Sequence, residues 1–275
     1  MKKLLEKLKG NKTWSIVLWV VMALFLCITL LLLNQAEDEM VCKKINVKIL
    51  PESDLYFLDS AAILSIMKSM ESDMKIVGAR MDNLDISGME RNLEANPFVE
   101  RADIFIDVAG AMQVKVEQRN PILRVINMKG EGYYVAKSGK KMPLSEVYTA
   151  RVPAATGNIA ESLSDSTFAK SPILKQLLEV AVCTSADPFW NSQIEQMYVD
   201  NYNDILLIPN VGKHSIVIGN SVDIRKKLER LKEFYIKGLN TLGWDKYRQL
   251  NLKYGNQVIG VKPENYVEPA DTTKR

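Results

Sequence analysis

A run of about 20 residues without a charge, WSIVLWVVMALFLCITLLLL from Trp14 to Leu33, limits what the N-terminal part of this chain can be. As a helix rising 1.5 Å per residue it would reach roughly 30 Å, the thickness of a bilayer's hydrocarbon core. The expectation is a transmembrane helix over 14–33. Lys2, Lys3, Lys7, Lys9 and Lys12 precede the run and Glu37, Asp38 and Glu39 follow it. Basic residues favour the cytoplasmic side, so the tail 1–13 is expected inside and the rest of the chain beyond the membrane. The lysines can also attract anionic headgroups, at about 1 kcal/mol each. A cleaved signal peptide is the competing reading. The run exceeds the usual apolar segment of roughly 7–15 residues, however, and Asn34-Gln35-Ala36 is a poor cleavage site.

Composition narrows the remainder. The chain has 275 residues, 47% hydrophobic and 25% charged, which suits folded units and not a disordered polymer. The formal charge of +3 sits in the N-terminal tail. Without it the chain is close to neutral, and no basic domain for nucleic acid is expected. Cys27 lies in the apolar run, leaving Cys42 and Cys183 far apart in sequence. One disulfide between them remains open, but not a disulfide framework. His214 is the only histidine. A histidine-built metal site is therefore excluded, and no metal, cofactor or small-molecule substrate is expected.

Residues 34–42 read as a linker and 43–119 as a compact mixed unit. Ile45, Val47 and Ile49 alternate in a first strand ending at Pro51. Asp59 or Ser60 can cap a helix carrying Ile63, Ile66, Met67 and Met70, and a second helix carries Ile86, Met89 and Leu93 before Asn96-Pro97. Two alternating strands follow, Ala102 to Val108 and Val114 to Glu117, turning at Gly110. The order strand, helix, helix, strand, strand lets two helices cover one face of a three-stranded sheet.

Residues 120–262 are richer in strands. Ile122–Ile126, Tyr133–Ala136, Ile194–Val199, Asp204–Ile208 and Ser215–Ile218 have strand patterns separated by turn residues. Ser171-Pro172 opens a short amphipathic helix, and Ser221 is expected to cap the longest one, bearing Ile224, Leu228, Leu231, Tyr235 and Leu239. Tyr247–Tyr254 and Gln257–Val261 are expected to form a hairpin through Gly255-Asn256. Residues 263–275 read as a disordered tail.

Catalytic signatures are weak. Ser-x-x-Lys occurs at Ser65/Lys68, Ser72/Lys75 and Ser138/Lys141, but no Ser-Asp-Asn or Lys-Thr-Gly accompanies it. A Ser-His-Asp triad would need His214, expected at the surface or on a strand, and no Gly-x-Ser-x-Gly elbow presents a serine. Gly139-Lys140 lacks the glycine and the Ser or Thr of a phosphate loop. No enzyme is expected.

At Asn96-Pro97-Phe98-Val99-Glu100, Val114–Arg119 with Pro121, Tyr134-Val135-Ala136, Lys140–Leu144, and Leu250–Tyr254 with Gln257-Val258, the sequence resembles the bacterial cell-division proteins FtsQ and DivIB. The resemblance implies an α+β architecture: one N-terminal transmembrane helix, a POTRA domain, then a mixed, mainly antiparallel β domain with flanking helices. It also implies a noncatalytic scaffold of the divisome in the cell (inner) membrane, acting in septum formation with partners of the FtsB/DivIC and FtsL type. A coiled-coil partner would add a strand to the last edge of the sheet, with Leu252, Lys253, Tyr254, Gln257 and Val258 as contacts. For Leu252 and Val258, simple packing into the β domain is the favoured reading. Gln118, Arg119 and Pro121 would be an interdomain hinge or a plain linker. The alternatives are a POTRA-bearing component of envelope transport or secretion and a membrane-anchored cell-wall acyl-transfer enzyme.

Overall fold

The computed structural model describes residues 12–37, 41–50, 56–70, 76–165, 171–255 and 257–264. The basic tail through Asn11, residues 38–40, the Pro51 stop, the Ser72/Lys75 pair, Asn256 and the expected tail from Asn265 onward lie outside them. One helix, α1 (Lys12–Glu37), contains the uncharged run. Its side chains are described over 16–30, about 22 Å of helix at the standard rise. Among the described residues no helix is long and apolar enough to cross a membrane.

The chain divides into two compact units, residues 1–52 with 58–117, and residues 53–57 with 118–275. The first has a three-stranded sheet in the order β1-β3-β2, built from β1 (Lys44–Leu50), β2 (Val99–Ile106) and β3 (Ala111–Gln118). β1 runs parallel to β3, with Val47 opposite Val114. Two helices, α2 (Ser60–Met70) and α3 (Ile86–Ala95), lie between β1 and β2 in sequence. Asp59 caps α2 by accepting from the Ala62 amide, and Asp85 caps α3 by accepting from the Gly88 amide. Ile63, Met67, Met89 and Leu93 from the helices meet Ala102, Ile104, Val114 and Val116 from the sheet in one core. The expected alternation fails at Val108, which is fully exposed. β2 stops at Ile106 because the Asp107 carboxylate accepts from the Ala109 and Ala111 amides and turns the chain through Gly110 at φ +82°.

The second unit has a nine-stranded sheet in the order β12-β11-β10-β9-β8-β7-β4-β5-β6. Its early strands are β4 (Pro121–Ile126), β5 (Gly132–Ala136), β6 (Lys141–Pro143) and β7 (Ala154–Gly157). The later ones are β8 (Ile194–Val199), β9 (Ile205–Pro209), β10 (Ser215–Gly219), β11 (Gln249–Asn251) and β12 (Ile259–Val261). The β4–β7, β7–β8 and β10–β11 pairs are parallel and the others antiparallel. α4 (Pro172–Ala186), α5 (Pro188–Gln193) and α6 (Ile224–Phe234) contribute Leu174, Leu177, Trp190, Leu228 and Leu231 to a core shared with Leu123, Val125, Met197 and Leu207.

Two expectations about the longest helix need correction. Ser221 does not cap it through its side chain; its carbonyl accepts from Ile224, and Asp223 enters the helix from the left-handed region at φ 53°. α6 then passes into a π-helical turn, Tyr235–Leu239. The apolar spacing explains this widening. Leu231, Tyr235 and Leu239 are four residues apart, a drift of roughly 80° over two steps of an ideal 3.6-residue helix, and a wider turn returns all three to the core.

Candidate functional site

At one end of the large sheet, β12 is the terminal strand, held to β11 with Gln249 opposite Val261 and Asn251 opposite Ile259. The expected tight hairpin is absent. The two strands are three residues each, and residues 252–258 form the connection between them. Leu252, Lys253, Tyr254, Gln257 and Val258 therefore belong to this loop, not to the edge strand itself.

Each of the five has a separate environment. Leu252 is fully buried in the core, on the same face as Leu250, and its amide donates to the Val217 carbonyl at 2.9 Å, which continues the β10–β11 pairing one residue past β11. Lys253 donates its amide to Asn251 Oδ1, and its ammonium pairs with Asp204 in the β8–β9 turn. That hydrogen bond holds the Lys253 amine above its ordinary range. Tyr254 is 60% exposed. Gln257 is exposed and donates its amide to the Tyr254 carbonyl, while Val258 is half-buried against the core. Of the candidate contacts, Leu252 serves packing and Tyr254 is presented to solvent.

The Lys253–Asp204 pair brings the β8–β9 turn to this loop. Tyr202, at the tip of that turn, is 88% exposed, and Val222, between β10 and α6, is 64% exposed. Between loop and helix is a cleft of about 360 Å³ whose lining includes Val222, Lys226, Arg230, Lys253 and Gly255. Lys227 is buried and donates to the carbonyls of Ile218 and Asn220, fixing the end of β10. Burial lowers its pKa. Sequence reasoning did not single out Tyr202 or Val222 as exposed residues near this loop. The Asn201-Tyr202-Asn203 turn was legible, but its proximity to Lys253 depends on strand order.

Gln118 and Arg119 are buried where β3 ends, and Gln118 Oε1 accepts from the Phe57 amide at 3.1 Å. Pro121 opens β4, where a register shift follows before Leu123.

The enzyme-like motifs have structural surroundings. The Ser65 hydroxyl donates to the Ala62 carbonyl of its own helix, and the Lys141 ammonium donates to the carbonyls of Ser162 and Asp165. His214 is not at the surface; it is 3% exposed, with Nε2 at 2.6 Å from the Tyr235 hydroxyl. Cys42 and Cys183 are both free thiols.

Residues 40–117 match the POTRA-like domain. Residues 120–261, just over half of the chain, match the family described as FtsQ/DivIB, C-terminal related. The chain belongs to the FtsQ/DivIB family. Comparison with curated proteins finds no match. The mixed α+β architecture, a POTRA-like unit followed by a β-rich one, agrees with that membership. Family domains of this kind point to a cell-division scaffold, generally non-enzymatic, that works through protein–protein contacts.

Proposed function

We propose that this protein is a bitopic scaffold of the division machinery, held in the cell membrane by α1, that captures an extended segment of a small coiled-coil protein of the FtsB/DivIC type at β12. The observation that carries the reading is the open end of the nine-stranded sheet. β12 pairs on one side with β11 and is the last strand of that sheet. The Val261 carbonyl accepts from Arg248, so by the alternation of an antiparallel ladder the Gly260 amide and carbonyl face outward. An added strand would satisfy those groups, and Tyr254 beside the edge offers a ring to cover and a hydroxyl to keep wet. The anchor reading is supported by the uncharged Trp14–Leu33 run and the lysines before it.

The test uses the full chain reconstituted in lipid, with amide exchange followed before and after addition of a candidate coiled-coil partner. Binding should slow exchange at Gly260, and alkaline carbonate should leave the protein in the membrane pellet. Binding with unchanged exchange at Gly260 would remove the strand-addition mechanism, and release into the supernatant would remove the anchor.

A further inference from the structure

His214 is the only histidine of the chain, and it is buried immediately before β10. Its ring meets Tyr235 edge-on, with centroids 5.4 Å apart and Nε2 at 2.6 Å from the phenol oxygen. Tyr235 opens the π-helical turn and is surrounded by Phe189, Trp190 and Trp244, whose ring centroids lie 5.3–6.1 Å away. On its other edge, Nδ1 is buried without a hydrogen-bond partner among the described residues. The Gly212 backbone, at φ +90°, closes against that edge so tightly that a Cβ there would come within 2.7 Å of Nδ1. Neutral imidazole suits this niche, with one nitrogen bonded to the phenol and the other left as a bare acceptor. Imidazolium does not, because it adds a buried N–H with nothing among the described residues to accept it.

Among the described residues the surroundings supply no compensating charge. Burial alone pushes the His214 pKa down, with no charged group contributing. Tyr235 is the titratable group facing the ring among the described residues, and burial raises its pKa, so it stays a neutral phenol. Phe189, Trp190 and Trp244 bring only rings, and the neighbouring Lys213 side chain is exposed to solvent.

Hydrogen bonds run from this niche to the sheet edge. The Ser215 amide, next to His214, donates to the Arg248 carbonyl, and the Arg248 amide donates to the Val261 carbonyl of β12. Two residues further along β10, the Val217 carbonyl holds the Leu252 amide at the start of the 252–258 loop.

We propose that His214 is an acid-sensitive latch: neutral, it clamps the π-helical turn against the start of β10, and on protonation it loosens the β10–β11–β12 end of the sheet. The consequence for partner capture rests on the function proposed above; the latch itself does not. The sign follows from linkage. Above the unfolded value of about 6.5 both states are neutral at this residue and the full stability is present. As pH falls below it, the unfolded chain takes up the proton first, and the folded-to-unfolded ratio drops by up to about tenfold per pH unit until the lower folded pKa is passed.

The full chain in detergent micelles, labelled at histidine, gives a single imidazole resonance whose midpoint in the folded state should lie below 6.5. The urea midpoint followed by tryptophan fluorescence should fall between pH 6.5 and 5, and much of that slope should vanish in His214→Phe. Without any partner, exchange at the Leu252 amide, corrected for the intrinsic pH effect, should quicken at least tenfold between pH 7.5 and 5. A folded-state midpoint at or above 6.5, equal slopes in both proteins, or unchanged Leu252 protection overturns the latch. If His214→Phe fails to fold, the wild-type resonance and the Leu252 exchange still decide.

Discussion

Leu252 and Tyr254 lie two residues apart and do different things: Leu252 extends the buried face of β11, and Tyr254 stands exposed in the loop beyond it. Leu252→Ala removes a fully buried side chain and should cost about 2–5 kcal/mol of stability, measured by urea denaturation. Tyr254→Ala removes an exposed ring and should change stability by less than about 0.5 kcal/mol, while weakening capture of the partner segment about tenfold or more in a binding titration. A large loss of stability in Tyr254→Ala, or unchanged binding with the fold intact, would remove Tyr254 from the interface. The sequence around these residues was half legible. Leu250 and Leu252 alternate as on a strand, and with the apolar run in Gln257–Val261 they suggested a hairpin. The pattern could not show that the pairing with β12 stops at Asn251, which leaves Tyr254 in a loop. Lys227 was illegible for a related reason. An amine can be buried there only because the carbonyls of Ile218 and Asn220 converge on it, and their positions are set by where β10 ends.

At the scale of elements, caps and periodicity identified α2, α3 and α4 but not α5, and Asp59 and Ser171 act as their spacing suggested. β7 escaped notice because Ala-Ala-Thr-Gly has little intrinsic strand preference; parallel partners on both sides, β4 and β8, make it a strand. The most informative element for recognition is β2, an edge of the three-stranded sheet. Glu94 and Glu90 of α3 reach over it, and their carboxylates accept from the Ala102 and Ile104 amides at 3.2 and 2.7 Å. Those amides would otherwise be free to pair with another strand. The two glutamates therefore guard this edge, in contrast to β12, where no such cover is seen among the described residues. Replacing both with alanine should cost roughly 1 kcal/mol for each lost hydrogen bond and promote self-association. Thermal melts and light scattering would measure these, and a double variant that remains as stable and as monodisperse as the parent would refute the guarding role.

At the scale of the whole molecule, sequence order and structural membership part company at Phe57. This residue lies between β1 and α2 of the first unit, yet belongs to the second. Its ring packs edge-on against Tyr148 and Tyr134, with centroids 4.9 and 5.9 Å away, and its amide donates to Gln118. Reading along the chain could not find this, because the signal is one aromatic in a short connection and its partners come 77 and 91 residues later. The second unit thus completes its aromatic cluster with a residue from the first half of the sequence. A fragment beginning at Gln118 would lack that ring and the Phe57 amide that donates to Gln118 Oε1. Phe57→Ala in the full chain should reproduce much of the loss, about 3–5 kcal/mol for a buried phenylalanine. The loss should appear in the transition reported by Trp190 and Trp244, which lie in the second unit. Phe57→Leu should recover a good part of it by refilling the volume. An alanine variant whose tryptophan-reported transition is unmoved would show that the second unit does not depend on this residue.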